Sequence, residues 1–437
     1  MNTNFFEKYA GFNPKTMTLR TEFFAGLTTF MTMCYILAVN PSILCVTGMD
    51  KGAVFTATAL VSAVGTLIMA FYARLPIALA PGMGINAFFA FTIVLGMGYS
   101  WQSALTAVFL EGIIFIIISV TGVREKIVDC IPKNLRFAIS AGIGLFIAFL
   151  GFQNSGLIKA DPTTMLAIGD FNLITVLSVI SIILGAVLMK LKIRGGLFIS
   201  ILICTIVGIP MGLTTIASDF TPITLPQSLS PTFFQFDFAS VLNPDMILIV
   251  LLLAFMNIFD TFGTLVATAS QAGYINAKGE IYRIKQSLLG DAVATTLGAV
   301  LGTSTVCTYV ESTSGIAEGG RSGVTALVVA VLFLLALFIS PIFLLVPGAA
   351  TVGPLVIVGA LMAKDINKIS FDEIDEALPA FITLLGITIT YSIAEGIAFG
   401  LISYALIKLF IGKARQLTPT ICILSVLLLL RYIVKFL

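Results

Sequence analysis

Apolar runs of roughly 17 to 25 residues follow one another from Thr21 to Phe410, joined by short polar segments. Wound as a helix, such a run covers a hydrocarbon core of about 30 Å, where backbone groups must find their hydrogen bonds within the protein. The chain is thereby restricted to a bundle of membrane-crossing helices. Composition agrees, with 58% hydrophobic and 11% charged residues against about a quarter charged in soluble domains. No cleaved leader is expected, since Met1 to Arg20 is polar and Thr21 to Val39 is too long for a signal core.

Fourteen spans are expected, at 21–40, 53–72, 78–97, 101–121, 135–152, 172–189, 195–210, 243–268, 285–301, 305–320, 322–340, 344–363, 377–392 and 394–412. The apolar stretch Thr420 to Leu437 carries Arg431 and Lys435, and reads as an interfacial or partly buried helix. Basic residues set the orientation. Lys8, Lys15 and Arg20 precede the first span, Arg74 follows the second, and Arg124, Lys126, Lys133 and Arg136 follow the fourth. Lys190, Lys192, Arg194, Lys278, Arg283, Lys285, Arg321, Lys364, Lys368, Lys408, Lys413 and Arg415 continue on that side. The opposite loops hold only Lys51 and Lys159. A multi-pass protein of the cytoplasmic membrane with its amino terminus in the cytoplasm follows.

The list divides at the long loop Met211 to Ser240 into two sets of seven. Seven is odd, so the second set enters the membrane inverted, as in transporters built from inverted repeats. The third span of each set is broken: PIALAPGMGIN (Pro76 to Asn86) and STVCTYVESTSGI (Ser304 to Ile316) each place an extended run, Ile77 to Ala80 or Thr305 to Val310, before helix-start residues. Pro81 suits a first helical position, and the serines after Glu311 suit a cap. Ile131-Pro132 and Val346-Pro347 introduce the fifth span of each set. Paired broken spans point to a binding site at the membrane midplane.

An intramembrane carboxylate costs at least ~2.5 kcal/mol unless partnered, which singles out Glu311 in the second break and Asp260 in the middle of the eighth span. The plainer readings are a helix cap for Glu311 and an Asp paired with Asn257 or Thr261 for Asp260. Asn86 follows the first break and offers both a donor and an acceptor. Gly82 and Gly84 allow either helix packing or close approach of a ligand to backbone. Phe262, Phe88 and Tyr309 are candidates to stack on a flat ligand. Glu111, Asp291, Glu318 and Glu395 read as structural or gating acids. The six cysteines show no metal spacing and histidine is absent, so neither a metal nor a histidine proton relay is expected. Proton coupling, if used, falls to carboxylates; Asp260 and Glu311 are the candidates. An intramembrane enzyme is disfavoured by the lack of a nucleophile-base pair. A small-anion transporter is disfavoured by Glu311, which would repel the anion.

The segments FFAGLTTFMTMCYILAVNP, ALAPGMGINAFFAF, NIFDTFGTL and ESTSGIAEGGRSGVTAL together resemble the AzgA-like purine permeases, a branch of the nucleobase-cation symporters. The resemblance covers nearly the whole chain. It implies an all-α polytopic membrane protein of 14 spans in a 7+7 inverted repeat, with short strands and half-helices in spans 3 and 10. It also implies a core domain of residues 1–122 and 241–340 and a gate domain of residues 123–240 and 341–437. The implied activity is proton-coupled uptake of hypoxanthine, guanine or adenine, with H⁺ or else Na⁺ as coupling ion, no cofactor, no nucleic acid partner, and a homodimer in the lipid bilayer. The family's substrate carboxylate falls on Glu311, its eighth-span acid on Asp260, and its third-span asparagine on Asn86. Xanthine or uracil is the alternative cargo.

Overall fold

The computed structural model describes residues 4–121, 132–161, 165–193, 195–216, 220–239, 243–275, 281–390 and 392–436. Arg124, Lys126, Arg194 and Lys278 of the basic loops lie outside these residues. Among the described residues, seven helices are long and apolar enough to cross a membrane.

After a short α1 (Asn4–Ala10), the first span is split into α2 (Leu19–Met33) and α3 (Ile36–Leu44), with the break at Cys34 and Tyr35. The Thr18 hydroxyl caps α2 by accepting from the Thr21 N–H at 3.1 Å. Asp50 caps α4 (Lys51–Ile68) in the same way, through the Ala53 N–H at 2.7 Å. The third span begins as strand β1 (Leu79–Pro81), turns into α5 (Met83–Ala87) and continues as a π-helical stretch, Phe88–Gly96. Then come α6 (Trp101–Thr121), α7 (Lys133–Asn154), the hairpin β2 (Ile158–Asp161) and β3 (Met165–Ile168), α8 (Leu173–Lys190) and α9 (Gly196–Gly208).

The second half supplies α10 (Pro244–Ala272), α11 (Ile284–Leu301), strand β4 (Val306–Thr308) with α12 (Ser312–Ala317), α13 (Gly323–Ala336) and α14 (Ser340–Leu344). It ends with α15 (Gly348–Ala363), α16 (Ile374–Ile389), α17 (Ile393–Phe410) and α18 (Pro419–Phe436). Pro132 and Pro347 stand at the N-caps of α7 and α15, as the Ile-Pro and Val-Pro pairs suggest.

The two expected extended runs pair with each other. β1 and β4 lie antiparallel, with Leu79 opposite Thr308, Ala80 opposite Cys307 and Pro81 opposite Val306. Three residue pairs cannot satisfy two strands at membrane depth, and the neighbouring helices supply the rest. On α4, the Thr66 hydroxyl accepts from the Leu79 N–H at 3.0 Å; on α11, the Thr295 hydroxyl donates to the Val306 carbonyl at 2.8 Å. Pro81 is the last strand residue rather than the first helical one, and Gly82 is the N-cap of α5. The Gly82 N–H, which donates to the Thr305 carbonyl at 3.0 Å, carries the pairing one residue past the proline.

The helices form two packing groups. In one, α2, α3, α4, α6, α10, α11 and α13 surround the strand pair, with α4 on α13, α6 on α11, α2 on α13 and α6 on α10. In the other, α7 lies on α15, α7 on α16, α8 on α15, α8 on α9 and α16 on α17. Glycines set the α7–α15 crossing: a Cβ on Gly144 would stand 2.6 Å from the Gly359 carbonyl, and one on Gly359 2.5 Å from the Gly144 carbonyl. The carboxy-terminal helix α18 runs antiparallel along α17 and is partly buried against it. Ile421 clusters with Tyr404 and Ala405, Ser425 donates to the Leu401 carbonyl, and Tyr432 stacks on Phe399 and bonds to Glu395. Its apolar stripe finds a partner over the full length of α17, which the isolated basic residues at its end had obscured.

Candidate functional site

Where β1 and β4 turn into their half-helices, the sequence candidates separate into those that face the crossing and those that hold it. Glu311 occupies the N-cap position of α12 but makes no side-chain capping bond to that helix. Its Oε1 instead accepts from the Tyr35 hydroxyl at 2.7 Å. The plain capping reading therefore fails, because the carboxylate is turned toward the break in the first span. Asp260 lies mid-helix on the neighbouring α10 and keeps accessible surface. Its carboxylate bonds to the Cys307 thiol, and its Oδ2 stands 3.6 Å from where a Cβ on Gly82 would be. No basic side chain of the described residues forms an ion pair with either carboxylate.

Tyr309 is buried, and its hydroxyl donates to the Pro81 carbonyl at 2.6 Å. With the Tyr309 N–H donating to the Ala78 carbonyl at 3.0 Å and the Ala78 N–H to the Ser312 hydroxyl at 3.0 Å, it ties the breaks together. Gly82 faces the site, since a Cβ there would stand 2.7 Å from the Cys307 sulfur.

Three candidates are placed differently from expectation. The Asn86 amide is committed to the scaffold: its Nδ2 donates to Asn40 Oδ1 at 2.6 Å, and its Oδ1 accepts from the Ser304 hydroxyl. Asn40 in turn donates to the Thr58 and Thr303 hydroxyls at 2.7 and 2.9 Å, so Asn86 locks the first break to the residues before β4. Phe88 is fully buried in the main apolar cluster and offers no open face for stacking. Gly84 turns toward α7, where a Cβ would stand 2.8 Å from Ile143 Cγ2, and serves packing. The side chain of Phe262 lies outside the described residues.

Behind Asp260 a second acidic layer stitches β4 to its helices. Glu111, fully buried on α6, accepts from Asn257 Nδ2 at 2.8 Å and from the Thr305 hydroxyl at 2.6 Å. The Thr261 hydroxyl meets Asp291 Oδ2 at 2.7 Å and Asn257 Oδ1 at 3.1 Å. These bonds tie Glu111 and Asp291 into the scaffold around β4. Glu22, which the sequence reading overlooked, gathers the loop after α12: its Oε1 accepts from the Arg321 N–H, and its Oε2 from the Ser322 and Thr325 N–H groups and the Thr325 hydroxyl. Tyr35, Asn40, Ser304 and Cys307 were likewise missed as partners of the site.

Two cavities lie away from these carboxylates, at opposite ends of α7. One of about 570 Å³ is lined by Lys133, Glu376, Tyr404 and Gln416, and one of about 380 Å³ by Ile43, Asn154, Pro347 and Leu355.

Two strand-led half-helices meeting inside a bundle of apolar helices, beside two carboxylates that form no ion pair among the described residues, are features of a membrane transporter. The chain belongs to the Permease family, which matches residues 20–399. It is 45% identical over 434 residues to a putative permease of Methanocaldococcus jannaschii, covering 99% of both chains. It is 45% identical over 426 residues to the guanine/hypoxanthine permease PbuG of Bacillus subtilis, covering 95% of this chain and 96% of that one. The adenine permease AdeP of Escherichia coli is 39% identical over 417 residues, with 95% and 93% covered. The guanine/hypoxanthine and adenine permeases among these relatives agree with the purine-permease resemblance of the four sequence segments.

Among solved structures, the fold is similar to the transmembrane domain of the cyanobacterial bicarbonate transporter BicA, with a TM-score of 0.64 at 15% identity over 88% of this chain and 97% of that one. It is similar also to the murine anion transporter Slc26a9 in its inward-facing state, with a TM-score of 0.64 at 12% identity over 94% and 72%. At these identities the likeness concerns the fold alone.

Proposed function

We propose that this chain carries purine nucleobases, with hypoxanthine and guanine first and adenine next, across the cytoplasmic membrane in symport with protons. The observation that carries the reading is Glu311, released from capping duty and aimed beside Asp260 at the crossing of the two breaks. A purine offers ring N–H or amino donors next to ring-nitrogen and carbonyl acceptors. A carboxylate held at one oxygen can accept from such a donor edge, and the Gly82 side of the crossing lets a flat ring approach backbone. Guanine/hypoxanthine and adenine permeases among the relatives support that cargo. A small anion is disfavoured at a site bearing two carboxylates with no basic partner among the described residues.

In this reading the fourteen spans form two inverted sets of seven, a core around the strands and a gate made of the other packing group. Mated contacts support the repeat: α4 on α13 answers α11 on α6, and α7 on α16 answers α15 on α8. With the amino terminus in the cytoplasm, α3, α5 and the π-helical stretch press on the gate in the outer half. Asp260 and Val310 are left exposed on the other side, which corresponds to a site open to the cytoplasm. Transport then follows from the core sliding against the gate, with Glu311 anchoring the base and Asp260 taking the coupling proton. A homodimer would hold the gate still while the core moves.

Uptake of radiolabelled hypoxanthine by cells or proteoliposomes carrying the chain tests this reading. Guanine and adenine should compete, sulfate and bicarbonate should not, and a proton uncoupler should abolish accumulation. Competition by sulfate with no competition by guanine would overturn it.

A further inference from the structure

The first span of each half carries the same short pattern. Phe30-Met31 is followed four residues after the methionine by Tyr35, and Phe255-Met256 four residues after its methionine by Asp260. Both residues reach toward the break of the opposite half. Asp260 lies against Gly82 at the start of the first half-helix, and Tyr35 bonds Glu311 at the start of the second. Tyr35 sits at the N-cap of α3, between the two helices of the first span, and its hydroxyl reaches Glu311. It is 1% exposed, and the 2.7 Å bond to Glu311 Oε1 is the hydrogen bond its hydroxyl makes. A tyrosine at mid-membrane that only packed would have no need of this acceptor, and phenylalanine would fill the same volume.

We propose that Tyr35 is a positioning and specificity-determining residue of the transport site, acting through Glu311; the proposal rests on the purine reading above. By donating to Oε1, the hydroxyl fixes the plane of the carboxylate and occupies part of one oxygen's acceptor capacity. Oε2 is left as the better acceptor for the incoming base. Hypoxanthine brings one N–H next to its carbonyl and satisfies a single acceptor oxygen. Guanine adds an exocyclic amino group beside that N–H and can engage both oxygens of an unoccupied carboxylate. Tyr35 therefore keeps hypoxanthine competitive with guanine. Without the hydroxyl, the carboxylate turns more freely and favours the two-donor base.

The test is equilibrium binding of hypoxanthine and of guanine to the full chain in detergent. Tyr35→Phe should weaken hypoxanthine binding roughly three- to tenfold, the scale of one net hydrogen bond, and guanine binding less. The guanine-to-hypoxanthine preference then shifts toward guanine. Glu311→Asp, which withdraws the carboxylate from the hydroxyl by one methylene, should shift the preference in the same direction and serves if Tyr35→Phe does not fold. Unchanged affinities, or equal losses for both bases in either variant, would overturn the role of Tyr35 and leave the purine reading intact. Absence of binding of either base by the unaltered chain would instead sink the purine reading, and this inference with it.

Discussion

Glu22 is the carboxylate whose removal has the most calculable consequence. It is 1% exposed and links the start of α2 to the start of α13. Its Oε1 accepts from the Arg321 N–H at 3.0 Å, and its Oε2 from Ser322 and Thr325 N–H groups at 3.2 Å each and from the Thr325 hydroxyl at 2.5 Å. Glu22→Gln keeps the shape and replaces one of those oxygens with an amide nitrogen. The better orientation puts the amide oxygen where Oε2 was and leaves the Arg321 N–H facing another donor. One charge-assisted bond is lost and the other three lose the charge, at a cost of about 2–4 kcal/mol. Thermal unfolding of the purified protein in detergent should show a midpoint lower by several degrees. Thr325→Val removes one donor and should cost about 1 kcal/mol, and less again in the Glu22→Gln background. An unaltered midpoint in Glu22→Gln, or strict additivity with Thr325→Val, would refute the argument that this carboxylate caps the helix.

Gly82→Ala places a Cβ 2.7 Å from the Cys307 sulfur and 3.6 Å from Asp260, so uptake should fall sharply while size-exclusion behaviour stays close to the unaltered chain. The overpacking cost is about 1–3 kcal/mol, and full uptake by this variant would place the site elsewhere. Asp260→Asn should bind purine yet lose accumulation driven by a proton gradient; uphill uptake at the normal rate would remove Asp260 from the coupling step. Where the start of α16 meets the end of α17, the Lys408 and Lys413 ammonium groups, each 2.8 Å from Asp375 Oδ2, hold the Asp375 carboxyl well below the usual carboxylate range. That stabilisation is complete above the ordinary carboxylate value and drains away as pH falls through it toward the lowered one. Thermal stability should therefore fall below about pH 4, and Asp375→Asn should be less stable at neutral pH but lose less on acidification. Parallel pH curves for the two proteins would contradict this.

The two extended runs, the half-helices after them and the two prolines opening α7 and α15 were legible because breakers interrupt otherwise apolar runs, whereas the pairing of the runs with each other was not. Glu311 and Asp260 were legible because a carboxylate is costly there. Partners were harder to read. Tyr35 looks like packing in an apolar helix, and only the matching Phe-Met patterns around it and Asp260 could have flagged it. Asn86 appeared available because its partners Asn40 and Ser304 are distant in sequence. Glu22, two residues after Arg20 at the very start of the first expected span, reads as a solvated charge until α13 folds against it. Phe88 shows the limit of composition, since an aromatic after a break can face the ring of a ligand or the centre of the core. Here tight packing around α5 decides for the core.

The central claim is that Glu311 receives the transported base. Radiolabelled hypoxanthine uptake into proteoliposomes, comparing the unaltered chain with Glu311→Gln at matched protein content, tests it most directly. The account predicts saturable uptake by the unaltered chain, inhibited by unlabelled guanine. Glu311→Gln should leave at most a few per cent of the uptake while retaining a normal elution profile. Uptake by Glu311→Gln with an unchanged KM and maximal rate would contradict the account.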